Sequence, residues 1–397
     1  MVVNQTNASE ARGYLGEDRF DEYVREITDE IEKLYKNSDI HISLYFERPG
    51  TFYLIVEDLD VNVPGLVPQF LASTRERVRG YADRGVRFTP KFCVIRCPED
   101  ANTFEDIINL GHRFPQLGTH EQEIFIASEI VSAPNYGIIS HMEEILNRAV
   151  TEKGITMYYQ PIFNVKAHRF SSAEALARLF DREYGMISPA LFIPAAEKAG
   201  LILKVGDIVL ESVFRFISEN DIEALGLDYI EINLSVAQCL QADLPAFVHR
   251  LQDKYKVRPD QVNFEITETM FDNLSGVMDR NLSALADMGY TFSLDDYGVG
   301  YSNIQRLRTL PLRIIKIDKS MVDDMFSEEG EVIIQNTVRM MQGIHKELVV
   351  EGVETREAID ACRELSCDYI QGFYYSRPLP AEDFVSFMKS HNGQLAK

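Results

Sequence analysis

The amino-acid sequence predicts two α/β domains, a smaller one over residues 1–135 and a (β/α)8-type barrel over residues 140–397. The chain has 397 residues, which suits two or three domains of ordinary size. From residue 155 onward, short β-type runs recur, and helical segments separate most of them. Nearly every run ends in a carboxylate, an amide or a lysine, as expected for a barrel with a polar mouth.

The composition is that of a folded, acidic protein. Lys and Arg number 40 and Asp and Glu 62, so the net charge is −22, and 45% of the residues are hydrophobic. This negative charge repels phosphate backbones, so we expect no nucleic-acid polymer as a partner. No apolar run reaches the roughly 18 residues of a membrane span, and the N-terminus lacks a signal pattern. Five cysteines do not make a disulfide framework, so we expect reduced thiols and a cytoplasmic location.

The smaller domain is predicted from a mixture of helical and alternating patterns. Arg48-Pro49-Gly50 is a turn signal between two strands. In chain order we expect a strand ending near residues 1–3, a helix over 20–35, strands over 42–46 and 52–56, a helix over 64–84, a strand over 88–95 and a helix over 101–111. We expect the boundary between the domains within residues 124–139, before an amphipathic segment at 142–151.

The larger domain contains eight predicted strands. They cover residues 155–162, 170–175, 229–232, 262–266, 291–294, 314–317, 348–350 and 369–370. Alternating βα units also occur in open doubly wound sheets, and periodicity alone does not choose between the two architectures. The polar strand ends favour the barrel, because it brings the carboxyl ends of its strands together around one mouth.

Five of the polar residues at strand ends have the chemistry of a metal site. They are Glu174, Asn233, Glu265, Asp295 and Asp296. Mg²⁺ and Mn²⁺ prefer carboxylate, amide and water oxygens, and adjacent aspartates suit two ions about 3.5–4 Å apart. Such a pair of ions serves in-line phosphoryl displacement. Taken singly, each acid is equally explained as a helix cap or a surface charge, but their repetition at strand ends favours the site.

Three further residues are candidates for chemistry on a phosphate. Lys316 lies in an apolar run, and strand alternation places it on one face with Asp318 and opposite Ile317. We expect Lys316 to stabilise charge in the transition state or to orient water, and Glu351 to accept the proton of that water. Arg178 shares a strand face with Glu174 if the strand extends that far, and would then bind a phosphate. A lysine paired with a nearby acid and a structural acid before a helix are the plainer alternatives.

These residues resemble the EAL-domain family of cyclic-di-GMP phosphodiesterases over roughly residues 142–390. The signature tripeptide is Glu174-Ala175-Leu176, followed by Arg178. The other matching motifs, in order, are Tyr159-Gln160-Pro161-Ile162, Phe192-Ile193-Pro194, Asn233-Leu234-Ser235, Glu265-Ile266-Thr267-Glu268, Asp295-Asp296-Tyr297-Gly298, Lys316-Ile317-Asp318, Glu351-Gly352-Val353-Glu354 and Gln371-Gly372.

The resemblance implies a modified TIM-type barrel that hydrolyses one phosphodiester of cyclic-di-GMP to linear pGpG. It implies that the five residues named above hold Mg²⁺ or Mn²⁺, as two ions, with Glu174 also counted as catalytic. It implies that Lys316 and Glu351 position and activate the water. It further implies that Gln160, Leu176, Arg178 and Gln371 face the dinucleotide, that Glu268 braces the loop after Asp296, and that the protein is a homodimer.

The first part of the chain resembles a degenerate GGDEF domain, the cyclase fold often found before an EAL domain. The segment around Arg48-Pro49-Gly50 stands where the GGDEF residues should be and lacks the acidic pair. A cyclase needs carboxylates there to hold Mg²⁺, so we expect no cyclase activity. Because Met1 falls near the expected first strand, we also expect a longer protein with an upstream sensor or membrane region outside this chain.

Two other functions remain open at this stage. One is a catalytically silent barrel that binds cyclic-di-GMP or a protein partner. The other is an interaction protein whose first domain is the working part. The complete set of acids, Asn233 and Lys316 favours the enzyme.

Overall fold

Two units build the chain, Met1–His141 and Met142–Lys397. The structure is a computed structural model. It describes residues 1–5, 7–36, 41–48, 50–57, 62–82, 86, 89–114, 123–131, 135–267, 276–298, 307 and 310–395.

The first unit is built on a five-stranded sheet with the order β2-β3-β1-β4-β5. Its strands are β1 (Val2–Gln5), β2 (Ile42–Arg48), β3 (Thr51–Val56), β4 (Pro90–Val94) and β5 (Ile124–Ile126). Its helices are α1 (Ala8–Leu15), α2 (Glu17–Lys36), α3 (Val63–Arg77), α4 (Arg79–Ala82), α5 (Phe104–Arg113), α6 (Ala127–Val131) and α7 (Tyr136–Ser140). Strands β1 to β4 pair antiparallel in a β-α-β-β-α-β arrangement, and β5 is added parallel to β4.

The sequence patterns explain the main elements of this unit. Helix α2 carries Phe20, Tyr23 and Ile27 at spacings of three and four residues, and all three are buried against the sheet core. The predicted strand–turn–strand is present as the β2–β3 hairpin. Gly50 at its turn has φ +85°, a left-handed conformation that favours glycine, and its carbonyl accepts a 2.7 Å hydrogen bond from the Gln5 N–H.

In the second unit, the described residues form ten strands. They are β6 (Ile155–Asn164), β7 (Arg169–Asp181), β8 (Gly185–Ile187), β9 (Tyr229–Asn233), β10 (Val262–Thr267), β11 (Thr291–Tyr297), β12 (Leu312–Ile317), β13 (Glu347–Val350), β14 (Tyr369–Ile370) and β15 (Leu379–Pro380). The helices are α8 (Met142–Glu152), α9 (Pro189–Lys198), α10 (Ile202–Glu219), α11 (Val236–Cys239), α12 (Leu244–Tyr255), α13 (Gly276–Asp287), α14 (Lys319–Asp324), α15 (Glu328–Gly343), α16 (Arg356–Glu364) and α17 (Ala381–Leu395). None of the described helices has both the length and the apolar character that a membrane crossing requires.

Eight of these strands close into a barrel, which confirms the predicted fold class and excludes the open sheet. The order is β6-β14-β13-β12-β11-β10-β9-β7, and β6 also pairs with β7. Strands β7 and β9 to β14 run parallel to one another. Strand β6 runs antiparallel to both β7 and β14, because a short turn rather than a helix joins it to β7. This reversed strand is the way in which the barrel departs from a regular (β/α)8 architecture.

Alternation along the strands separates an apolar layer from the polar mouth. Ile315 and Ile317 of β12 are fully buried on one face of the strand, and Ile314 and Lys316 lie on the other. Ile314 packs with apolar residues from four other barrel strands, namely Ile162, Tyr229, Val349 and Tyr369. Lys316 lies two residues further along the same face, toward the carboxyl end of the strand. The apolar layer therefore closes the barrel beneath the polar residues.

Candidate active site

Neighbouring parallel strands bring three of the predicted metal-site residues into direct contact. Glu174 lies in β7, Asn233 ends β9, and Glu265 lies in β10 beside Asn233 in the strand register. The Asn233 side chain donates hydrogen bonds to Glu174 Oε1 at 3.0 Å and to Glu265 Oε2 at 2.9 Å. Residues separated by up to 91 positions in the sequence, 265 − 174, thus share one hydrogen-bonded group at the mouth of the barrel.

The Lys316 ammonium lies at the centre of the site. Its side chain is fully buried, and Nζ forms ion pairs with five carboxylates. Nζ lies 2.7 Å from Glu351 Oε1, 3.4 Å from Glu174 Oε2, 3.6 Å from Glu231 Oε2 and 3.7 Å from Asp295 Oδ1, and it also contacts Glu265 Oε1. The lysine thus meets three of the four predicted metal-site acids, Glu174, Glu265 and Asp295, together with Glu351.

The protonation equilibria follow from this mixture of burial and charge. Burial opposes the charge of Lys316, but the surrounding carboxylates of Glu174, Glu265 and Glu351 raise its pKa well above the ordinary value. Burial raises the pKa of Glu265 well above its usual range and raises the pKa of Glu351 to about 8. Burial also acts against the charged form of Glu174, yet Lys316 and two hydrogen-bonding amides lower its pKa overall. The site therefore holds titratable groups whose proton affinities are set far apart.

Two predicted substrate-binding glutamines lie beside Glu174. Gln371, which follows β14, donates hydrogen bonds to Glu174 Oε2 at 2.7 Å and to Gln160 Oε1 at 3.2 Å. Gln160, in the reversed strand β6, faces Glu174 in the β6–β7 register and donates to the Ser376 carbonyl at 3.1 Å. Both amides are buried, so they connect the first and last barrel strands to the acidic group.

Leu176 and Arg178 extend along the rim from Glu174. Strand β7 continues to Asp181, so the condition for Glu174, Leu176 and Arg178 to share a face is met. The Arg178 guanidinium lies 5.4 Å from the ring centre of Tyr158, and NH1 donates to the Ala177 carbonyl at 2.9 Å. The half-buried Arg178 is thus positioned by an aromatic ring and a carbonyl.

Three other residues named in the sequence analysis are not seen in the group around Lys316; they are Asp296, Glu268 and Asp318. Asp296 is exposed, has φ +56° and makes no ion pair with Lys316 among the described residues, although burial of its carboxyl and the adjacent Asp295 raise its pKa to about 6. Glu268 lies outside the described residues. The expectation that Asp318 shares a strand face with Lys316 is wrong, because β12 ends at Ile317. Asp318 instead caps α14, where its carboxylate accepts a 2.8 Å hydrogen bond from the Ser320 N–H.

The sequence analysis gave no role to Glu231, the fifth carboxylate around Lys316. Glu231 lies two residues before Asn233 on β9 and is fully buried. Burial raises its pKa to about 7, and the Lys316 ammonium opposes that rise. The signal that could have revealed it was strand alternation, since residues i and i+2 share a face.

The donor set fits hard divalent cations. Five carboxylates face one ammonium, and among the described residues Glu231 Oε2 and Asp295 Oδ1 accept no hydrogen bond despite their burial. Buried carboxylates in such excess require further positive charge or protons. No group of three or more His, Cys, Asp or Glu side chains in the described ranges already has the geometry of a metal-ligand set, since the acids surround Lys316 instead. The oxygen chemistry nevertheless suits Mg²⁺ or Mn²⁺.

Comparison with known proteins identifies the family. Residues 143–378 match the EAL domain, so the chain belongs to the EAL domain family. The cyclic di-GMP phosphodiesterase NbdA of Pseudomonas aeruginosa is 26% identical over 391 residues, which cover 96% of this chain and 49% of NbdA. The probable cyclic di-GMP phosphodiesterase PdeB of Escherichia coli is 30% identical over 62% of this chain and 47% of PdeB.

A solved structure gives the same result for the fold. The PaMucR phosphodiesterase in complex with c-di-GMP superposes with a TM-score of 0.58 and 29% sequence identity, over 62% of this chain and 99% of that one. The chain spans from about a third to about a half of the length of the curated relatives it matches.

Proposed function

We propose that the barrel hydrolyses cyclic-di-GMP to linear pGpG in a reaction that depends on Mg²⁺ or Mn²⁺. The observation that carries this proposal is the buried Lys316 ammonium among five carboxylates at the mouth of an EAL-family barrel. The names of NbdA and PdeB and the ligand of the PaMucR complex support the choice of cyclic-di-GMP as the substrate.

Five residues are proposed to hold two divalent ions. They are Glu174, Asn233, Glu265, Asp295 and Asp296. When bound, such ions supply Lewis-acid activation of water and of phosphoryl oxygens. Asp295 Oδ1 accepts no hydrogen bond from any residue that the structure describes, and carboxylates outnumber cations around it; both observations support this assignment. Asp296 would reach the ions from the exposed end of β11, and Glu268 is proposed to brace the loop after Asp296.

Other residues of the chain are proposed to stabilise the transition state, accept a proton and bind the substrate. Lys316 directs a permanent positive charge at the oxygens on which negative charge develops during phosphoryl transfer. Glu351, which lies 2.7 Å from Lys316 Nζ and whose pKa is raised by burial, is suited to accept the proton released by the attacking water. Gln160, Leu176, Arg178 and Gln371 are proposed to hold the dinucleotide, with Arg178 reserved for a phosphate.

The direct test is incubation of the purified protein with cyclic-di-GMP and either Mg²⁺ or Mn²⁺, with pGpG followed by chromatography. We expect pGpG to accumulate with at least one ion and not after chelation. An active EAL phosphodiesterase serves as the positive control. Binding of cyclic-di-GMP that stays intact with both ions would show a silent receptor instead of an enzyme.

The smaller domain, residues 1–135, is proposed to be a degenerate GGDEF domain without cyclase activity. Its antiparallel β-α-β-β-α-β sheet and the hairpin at Gly50 support the comparison. Asn4, near the expected position of a metal-binding aspartate, is held by a 3.1 Å hydrogen bond to Thr51 Oγ1. We expect no cyclic-di-GMP when the protein is incubated with GTP and Mg²⁺, whereas a binding measurement would detect GTP held without turnover.

A homodimer in the cytoplasm is the proposed working state. Phe326 after α14 and Val332 and Ile333 of α15 are large apolar side chains with more than half of their surface exposed. Such a patch is typical of a surface that associates. Sedimentation of the protein should give twice the mass of one chain, and Ile333→Glu should convert the dimer to a monomer. A wild-type monomer at micromolar concentration would contradict this proposal.

A further inference from the structure

A polar layer lies inside the barrel below the mouth. Glu231 and Asn263 are paired in the register of β9 and β10, and both side chains are fully buried. The interior of such barrels is normally filled by Val, Ile and Leu. A buried carboxylate at this depth is costly unless a cation or a hydrogen-bond donor faces it.

Hydrogen bonds from a third strand hold the Asn263 amide in place. Its Oδ1 accepts from Thr291 Oγ1 at 2.8 Å, and its Nδ2 donates to Ser293 Oγ at 2.7 Å. The same Nδ2 faces Glu231 Oε1 at 3.5 Å. The amide therefore presents a fixed donor to Glu231 Oε1. The other oxygen, Oε2, faces the group of carboxylates around Lys316.

That other oxygen faces the proposed catalytic lysine. Glu231 Oε2 lies 3.6 Å from Lys316 Nζ and accepts no hydrogen bond from the described residues. The other four carboxylates around Nζ are those that the function proposed above assigns to metal ions or to the water. Glu231 lies two residues before Asn233 on β9 and opposite Glu174 in the β7–β9 register, so it gives the ammonium an ion-pair partner that the proposed metal and water sites do not use.

We infer that Glu231 is a positioning residue that holds the Lys316 ammonium in place for the proposed reaction. This inference rests on the proposed function and assigns a role to a residue outside the proposed metal and substrate sets. Without the Glu231 charge, every remaining ion pair of Lys316 is with a carboxylate proposed to hold a metal ion or to take the proton of the water. The ammonium then shifts toward Glu174 and Glu265 and away from the position in which it meets the substrate.

The first test is the kinetic behaviour of Glu231→Gln, which keeps the shape of the side chain. We expect kcat to fall on the order of 10-fold while KM for cyclic-di-GMP stays within about twofold, because the residue acts on Lys316 and not on the substrate. Glu347→Gln is the matched control, since it removes a barrel carboxylate that bonds Arg313 and Tyr369 instead. An unchanged kcat in Glu231→Gln would overturn the inference.

The second test uses thermal unfolding without metal or substrate and needs no activity. Glu231→Gln is made in the wild type and in Lys316→Met, with Lys316→Gln as the alternative background if the Met variant does not fold. We expect the Tm change caused by Glu231→Gln to be roughly 2–6 °C more favourable in the lysine-free background, because the unpaired carboxylate is then removed. Equal Tm changes in both backgrounds would overturn the inference. A wild type without phosphodiesterase activity would instead refute the proposed function and leave this coupling intact.

Discussion

The side-chain amide of Gln371 donates a 2.7 Å hydrogen bond to Glu174 Oε2, and both residues are buried. Gln371 follows the last barrel strand, β14, whereas Glu174 lies in β7, near the beginning of the barrel in the sequence. The bond spans 197 positions in the sequence. Closure of the barrel therefore brings Gln371 to the acidic group, and variants at either end affect the same hydrogen bond.

Removal of the Glu174 carboxylate should abolish turnover. Glu174→Ala deletes the acceptor of the bonds from Asn233 and Gln371 and a proposed metal ligand, so we expect pGpG formation to fall by at least about 100-fold. Glu152→Ala, which removes an exposed carboxylate paired with Arg182, should leave the rate unchanged. Full activity in Glu174→Ala would reject its assignment to the metal site.

Replacement of Lys316 should separate binding from turnover. Lys316→Ala is expected to retain cyclic-di-GMP binding but to lower kcat strongly, because the charge that meets the developing negative charge is lost. The same change leaves buried carboxylates without their cation, so the free energy of unfolding should decrease by about 3–5 kcal/mol. Calorimetric binding, chromatography of pGpG and urea unfolding measure the three effects. Equal turnover in the wild type and the variant would rule out a catalytic role for Lys316.

Divalent cations should stabilise the folded protein. A ligand that binds only the native state at 100 times its Kd adds about 2.7 kcal/mol, which corresponds to a Tm increase of roughly 5–10 °C for a domain of this size. We expect Mn²⁺ or Mg²⁺ to produce this increase, chelator to reverse it, and Asp295→Asn to reduce it. The control is a Ca²⁺-free buffer in which a sodium salt at the same ionic strength replaces the Mg²⁺ or Mn²⁺ salt, since it shows how much of the Tm change comes from the screening of charges alone. A Tm that does not respond to either ion would argue against the proposed metal site.

Gly372 should not tolerate a side chain. A Cβ at this position would lie 2.0 Å from the Val353 carbonyl oxygen and 2.4 Å from the Val353 nitrogen, both backbone atoms. Gly372→Ala must therefore displace the neighbouring Gln371 and its bond to Glu174, so we expect a lower Tm and weaker cyclic-di-GMP binding. Gly343→Ala is the matched control, because its Cβ meets nothing within 4 Å at the end of α15. Identical Tm values for the two variants would show that the segment moves without cost.

Most strands of the barrel, and many residues of the candidate site, could be predicted from the local pattern of apolar and polar residues. The run around Lys316 has a buried isoleucine on each side, and alternation alone separates Ile315 and Ile317 from the lysine. The direction and the neighbours of β6, which close the barrel, could not be predicted from local sequence pattern. A short turn between β6 and β7 reverses one strand, and no local signal states which neighbours that strand will pair with.

Among the site residues, too, some positions could be predicted from the sequence and others depended on tertiary structure. Convergence of strand ends predicted that Glu174, Asn233 and Glu265 would meet, and they do. Glu231 belongs to a polar strand end, Glu231-Ile232-Asn233, but its role could not be predicted, because its partner Lys316 lies on a strand far away in the sequence. Asp318 was assigned to the wrong element because the strand ends one residue earlier and the aspartate begins a helix.

The reversed direction of β6 has a mechanical consequence. A strand that runs against its neighbours starts at the rim, so the polypeptide leaving α8 enters the barrel from the end that carries the acidic group. From Ile155 at the start of β6, five residues of extended backbone (160 − 155) lead to Gln160, which accepts a hydrogen bond from Gln371. A displacement of α8 would therefore reach Gln160, a proposed dinucleotide-binding residue, along the backbone of a single strand.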